Sequence, residues 1–268
     1  MTMKDWGKEV QMREGIIRLE SIQLTAFQLK VIAMVAMLCD HAAKTIVFGF
    51  DVEWLLWIGR IAFPIFAYQL VEGYTKTRDL KKYCKRLFIF ALISEIPYNL
   101  IADLSSIINP FAQNVLWTML IGVLVLWVIE KVLTNNKLNI YTKALLVVAI
   151  IVGGYALGTF TMVDYSGAGV LTFVLFYFSR KSRYRYIIEL VGMIVINVYI
   201  LQGLSYVLEL GKIEILFPLQ GLAIFSLIPI WFYKGQQGYH SKNWTRFCYW
   251  FYPLHILLLV FVGYLQSF

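Results

Sequence analysis

The chain has 268 residues, 60% of them hydrophobic and only 15% charged, with a mean hydropathy of +0.69, which excludes an ordinary soluble globular domain and points to an integral membrane protein. Its net charge of +8 is spread over short connections, so it offers no continuous surface for a nucleic acid. Cys39, Cys84 and Cys248 are odd in number and lack C-x-x-C spacing, which argues against a disulfide framework and a zinc site.

Residues 1–28 are polar, carry Lys4, Lys8, Arg13 and Arg18, and contain no apolar core. They are expected to form a cytoplasmic segment that is neither a signal peptide nor a transit segment. The rest, residues 29–268, has no linker, low-complexity tract or internal repeat and reads as a single transmembrane domain. A hydrocarbon layer of about 30 Å takes about 20 apolar residues to cross. Segments of that kind fall near 30–50, 54–74, 87–103, 111–132, 143–161, 167–179, 187–208, 214–233 and 245–266, the sixth being short. The expected fold is therefore all-α, a polytopic transmembrane helix bundle of about nine spans.

Alternate connections carry the basic residues: the N-terminal segment with Lys30, then Lys76 to Arg86, then Lys131, Lys137 and Lys143, then Arg180 to Arg185, then Lys234, Lys242 and Arg246. The intervening connections carry Asp51, Glu53, Asp103, Asp164, Glu209 and Glu214, with Lys212 the one basic exception. This bias predicts a cytoplasmic N-terminus and an outside C-terminus.

The first span, "VIAMVAMLCDHAAKTIVFGF", holds Asp40, His41 and Lys44 in its middle. At 1.5 Å per residue His41 lies about 16 Å from Lys30, close to the midplane. Arg60 lies about 9 Å from the outer end of the second span, and Glu95 about 13 Å from the inner end of the third. Asn197 and His255 sit near their span centres by the same count. A charge at this depth costs about 2.5–3.5 kcal/mol on insertion scales. The polar groups therefore act either as interhelical glue or as the walls of a functional cavity, and glue leaves two histidines at one depth unexplained. Asp40 and Lys44, at i and i+4, suit a local ion pair. His41 suits proton transfer near neutral pH; Asp40 points away from it, so an acid on another helix, such as Glu95, is the freer partner. Arg60 either holds an oxyanion or phosphate, or neutralises Asp40.

Pro64 is expected to kink the second span. Beyond it come Glu72, Tyr74 and six basic residues in eleven positions, Lys76 to Arg86. Topology alone accounts for such a loop; the functional alternative is a docking surface for an anionic cytosolic ligand. No Gly-rich phosphate loop or dinucleotide fingerprint occurs.

The stretches "MLCDHAAK", "GRIAFPIFAYQLVEGYTKTRDLKKYCKRLFIFALISEIPYNL", "NVLWTMLIGVL", "DYSGAGVL" and "YWFYPLHILLL" resemble, in order, the motifs of the TraX family. TraX proteins are known as conjugative-pilus N-acetylases, similar to polytopic acyltransferases that use cytosolic acetyl-CoA. The resemblance implies an acyltransferase of the bacterial cytoplasmic membrane that moves an acetyl group, more readily to nitrogen than to oxygen. Its acceptor would be a peptide, a pilin-like protein or an envelope glycan. The matched positions are Asp40, His41, Arg60, Glu72, Tyr74, Arg78, Arg86 and His255. On this reading His41 is the general base, with Asp40, Arg60, Glu95 and His255 around the reaction. The acyl-CoA phosphates lie near Glu72, Tyr74, Lys76, Arg78, Lys81, Lys82, Arg86 and Arg183, and no metal takes part. The rival expectation is a transporter, or a non-catalytic pilus or envelope assembly factor, using the same polar groups as a relay.

Overall fold

The computed structural model describes residues 23–46, 51–102, 107–201, 203–210 and 213–266; the N-terminal basic residues, Asp103 and Lys212 lie outside them. Among the described residues it is a helical bundle, and five helical segments are long and apolar enough to cross a membrane: Ala26–Thr45, Glu53–Lys76, Val115–Leu133, Ile140–Phe160 and Lys242–Leu265.

Helix α1 (Ala26–Thr45) starts at a capping box, in which the Thr25 hydroxyl accepts the Gln28 amide and the Gln28 side chain accepts the Thr25 amide; this satisfies donors that a helix start leaves orphaned. The second span is broken into α2 (Glu53–Gly59) and α3 (Ala62–Lys76). The expected proline kink is thus displaced. Pro64 lies in the first turn of α3, and the carbonyl it would have bonded, four residues earlier, belongs to Arg60 at the break.

Helix α4 (Leu80–Ala102) begins at Asp79, whose carboxylate accepts the Lys82 amide at 3.0 Å and pairs with its ammonium at 3.1 Å. These bonds hold the Asp79 pKa below its ordinary value. Lys81, Lys82 and Arg86 therefore stand on the first turns of a helix, where the sequence suggested a loop.

Helices α5 (Val115–Leu133) and α6 (Ile140–Phe160) follow, then α7 (Ser166–Ser179). The last two invert the usual relation of length to burial. The 21-residue α6 buries only Gly154 and Gly158, as an outer helix facing lipid does, whereas the 14-residue α7 is buried on nearly every side. Phe173 and Phe176 of α7 meet Ile65 of α3, Leu126 and Ile129 of α5 and Met193 in the core. A short helix serves at the centre because protein surrounds it on all sides.

The expected seventh and eighth spans, 187–208 and 214–233, are corrected. Helix α8 (Arg185–Ile194) runs on as a π-helical turn, Val195–Ile200, and then stops. Strands β1 (Ser205–Leu210) and β2 (Ile213–Pro218) form an antiparallel hairpin in the register Leu210↔Ile213 to Ser205↔Pro218. A 3₁₀ stretch, Leu219–Ser226, leads into α9 (Leu227–Phe232). Two apolar six-residue runs separated by two residues are a hairpin signal that hydropathy alone reads as helix. Helix α10 (Lys242–Leu265) closes the fold.

One buried charge is plainly structural. Glu189 of α8 is fully buried and accepts from Ser179 at 2.9 Å, Arg185 at 2.8 Å and Trp231 at 2.8 Å. Arg185 also donates to the Tyr68 hydroxyl at 3.3 Å, so the network ties α7, α8, α9 and α3 together.

Candidate functional site

Met37, Asp40, His41 and Lys44 follow one another at helical spacing and line a cavity of about 520 Å³ at the C-terminal end of α1. Its other walls come from Arg60 at the α2–α3 break, Tyr98 of α4, Asp164 and Tyr165 before α7, Gln220 and Tyr252.

The two histidines meet here. His41 Nδ1 lies 2.7 Å from His255 Nε2, the rings stack at 4.9 Å between centroids, and both are buried. His255 Nδ1 is 2.6 Å from the Phe251 carbonyl, four residues back on α10. A carbonyl only accepts, so His255 carries its hydrogen on Nδ1. With both rings neutral, His255 Nε2 then accepts from His41 Nδ1–H, leaving the His41 Nε2 lone pair as the free base. The ring of Phe251 stacks on His255 at 4.6 Å and further fixes its plane.

Asp40 is held by two cations. Lys44 Nζ lies 2.5 Å from its Oδ2, and the Arg60 guanidinium pairs with Oδ1. Both sequence readings, the local pair and neutralisation by Arg60, thus describe the same carboxylate. Arg60 also donates from Nε to the Leu56 carbonyl at 3.3 Å and from Nη1 to Gln220 at 3.4 Å, and Gln220 donates to Asn197 at 3.2 Å. The close approach of α2 to α1 depends on Gly59, where a Cβ would stand 2.4 Å from the Asp40 Cβ.

Glu95 is elsewhere. It accepts from the Asn114 amide at 3.2 Å, from the Asn114 side chain and from Trp117 Nε1 at 2.6 Å, so it anchors the start of α5 and does not line the cavity. Asp164 and Tyr165 of the "DYSGAGVL" stretch, by contrast, line the cavity, although the sequence marks Asp164 only as an acidic connection residue. They reach the cavity through a turn in which Met162, Tyr165 and Ser166 have positive φ, and which is pinned by the Gln113 amide to Met162 and the Asp164 amide to Gln113. Runs of positive φ outside glycine concentrate where a site fixes the backbone, a cue that composition does not carry.

A second cavity, of about 310 Å³, lies at the N-terminal ends of α1, α4 and α10 and the C-terminal end of α3. Met37, Phe66, Val115, Met119 and Tyr252 line both cavities, so the two chambers meet at a waist one helical turn from His41. Of the eight residues expected around an acyl-CoA, only Arg86 lines the second cavity. Glu72 pairs with Lys76 at 2.7 Å, Tyr74 donates to Glu130, Lys82 pairs with Asp79, and Arg183 stacks on Tyr184 at 4.5 Å.

A family model described as TraX protein matches residues 26–263. The chain belongs to the TraX family. The match spans both cavities and includes the two histidines. A curated relative from Dichelobacter nodosus, "Probable fimbrial assembly protein FimC, serogroup H1", is 29% identical over 255 residues, covering 89% of this chain and 96% of the relative. No solved structure matches.

Proposed function

We propose that this TraX protein is a multi-pass acetyltransferase of the bacterial cytoplasmic membrane, taking acetyl-CoA as donor and a peptide, protein or envelope glycan as acceptor. The observation that carries the reading is the His41–His255 pair, which leaves one imidazole nitrogen basic inside a chamber that also holds Asp40, Lys44 and Arg60. His41 Nε2 takes the proton of the acceptor amine or hydroxyl as its nitrogen or oxygen attacks the thioester carbon. Lys44 and Arg60 stabilise the oxyanion that forms. The carbon–sulfur bond then breaks, and His41 returns the proton to the departing thiolate, so that the products are the acetylated acceptor and free CoA. His255 holds the His41 ring. On this reading the basic connections and the second cavity lie on the cytoplasmic side and the first cavity faces out.

Purified protein given acetyl-CoA and a panel of amines and hydroxyls should release free thiol. His41→Gln should abolish that release. His255→Ala should lower kcat by about a hundredfold with the KM for acetyl-CoA unchanged, the size expected for a disturbed general base. Absence of release with every acceptor overturns the enzyme. The name of the curated relative favours a second reading, a non-catalytic assembly factor; it is the correct one if His41→Gln sustains envelope assembly at the wild-type level.

A further inference from the structure

The second cavity has the makings of a ligand site that the reaction at His41 leaves unexplained. Its volume of about 310 Å³ falls within the range of ligand pockets, about 300–1,000 Å³. Lys30 of α1 and Arg86 of α4 bring two cations to it from helices far apart in sequence. Among the described residues neither makes an ion pair, although Lys44, Lys76, Lys82, Arg60 and Arg185 all do. Arg86 is nevertheless fixed: its Nε donates to the Tyr249 hydroxyl at 3.2 Å, and its guanidinium lies 5.8 Å from both the Tyr83 and Tyr249 rings. Trp244 adds a flat apolar wall, backed by Phe27 at 4.8 Å between centroids. The floor of the cavity is the waist beyond which His41 stands.

Two cations that make no ion pair among the described residues, one of them held in a frame of rings, suit phosphate groups. The aromatic walls suit a planar base. The shared lining residues put this cavity next to the His41 chamber, as a donor with its phosphates in one and its thioester in the other requires. From this we infer that Lys30 and Arg86, with Tyr83, Trp244 and Tyr249, hold the adenosine bisphosphate end of the CoA donor, the pantetheine arm passing the waist to His41. The inference rests on the acetyltransferase reading. It moves the donor site away from the exposed basic connection of Lys76 to Lys82 and Arg183, where the cations are paired, stacked on a ring or outside the cavity lining.

Binding of CoA and of adenosine 3′,5′-bisphosphate to the purified full chain, measured calorimetrically, tests the site without any acceptor. Both should bind and compete. Lys30→Gln and Arg86→Gln should each weaken them by about ten- to a hundredfold, the effect of losing one charge-assisted hydrogen bond, with an unchanged melting temperature. Arg78→Gln and Lys81→Gln should bind as wild type does. The inference is overturned if the wild type binds neither compound, or if the Arg78 and Lys81 variants lose affinity while the Lys30 and Arg86 variants keep it. It is also overturned if Lys30→Gln and Arg86→Gln only reduce the phosphatidylglycerol retained from vesicles of that lipid, since the cations then serve a headgroup. The thiol-release assay stays independent. Transfer by the wild type with CoA affinity unchanged in the variants refutes the site alone, and CoA binding lost in the variants without any transfer refutes the acetyltransferase alone.

Discussion

Asp40 shows how a buried residue settles its own electrostatics. A lone buried carboxylate is costly, and Lys44 and Arg60 between them offset the charge. Removing one partner of a buried pair leaves the other uncompensated, at a typical cost of about 3–5 kcal/mol. With Lys44 still in place, Arg60→Ala should destabilise the protein by about 3 kcal/mol, the lower end of that range. The double variant Arg60→Ala with Asp40→Asn should recover most of the loss, because the orphaned charge is gone. Thermal unfolding in detergent measures both, and an Arg60→Ala protein that melts like the wild type would mean the pair contributes nothing to stability. Part of this residue-level picture was legible in the sequence, since Asp40 and Lys44 are one turn apart and a helix puts such residues side by side. The histidine pair was legible only as two rings at one depth. Their sequence separation of 214 residues leaves contact to the packing of α10 on α1, and depth counting assigned Glu95 to the same cluster although its bonds go to Asn114 and Trp117. Depth locates a residue along a helix but not around it.

At the scale of elements, the break between α2 and α3 is what brings a guanidinium into the bundle. Pro64 has no amide hydrogen to give the Arg60 carbonyl, and Gly59 has no side chain to hold the helices apart, so the chain turns in against α1. An alanine at 59 would place its Cβ against the Cβ, Oδ1 and Cα of Asp40, at 2.4, 2.8 and 3.0 Å. Two of those atoms are fixed by the α1 backbone and cannot swing away. Gly59→Ala should therefore cost about 1–3 kcal/mol, as overpacking does, and, under the proposed acetyltransferase activity, should lower thiol release with it because Asp40 and Arg60 are pushed apart. Unfolding midpoint and thiol release would be measured on the same preparation; an unchanged midpoint would mean that the two helices do not need their close approach. Proline and apolar length announced the second span in the sequence but not where it breaks. Hydropathy likewise could not distinguish Ser205–Pro218 from a span, because a hairpin rich in Val, Ile and Leu and a short apolar helix share a composition and differ only in period.

For the molecule as a whole, the two cavities give the bundle two different ends. The N-terminal halves of α1, α4 and α10 surround the cavity with Lys30 and Arg86, and the opposite ends of α1 and α4, with the turn before α7, surround the cavity with His41, Lys44 and Asp164. The basic connections among the described residues gather at the first of these ends, which the proposed topology turns to the cytoplasm. A cytosolic donor and an envelope acceptor would then meet at the waist without either crossing the membrane. In a chain with Cys39, Cys84 and Cys248 replaced by serine, a new cysteine at Lys82, an exposed position beside Asp79, should react with a membrane-impermeant maleimide only after cells are permeabilised. One at Phe111, 71% exposed just before α5, should react in intact spheroplasts. Labelling of both from the same side would place the two cavities in one compartment, and the waist would then join two rooms of a single pocket instead of two sides of a membrane.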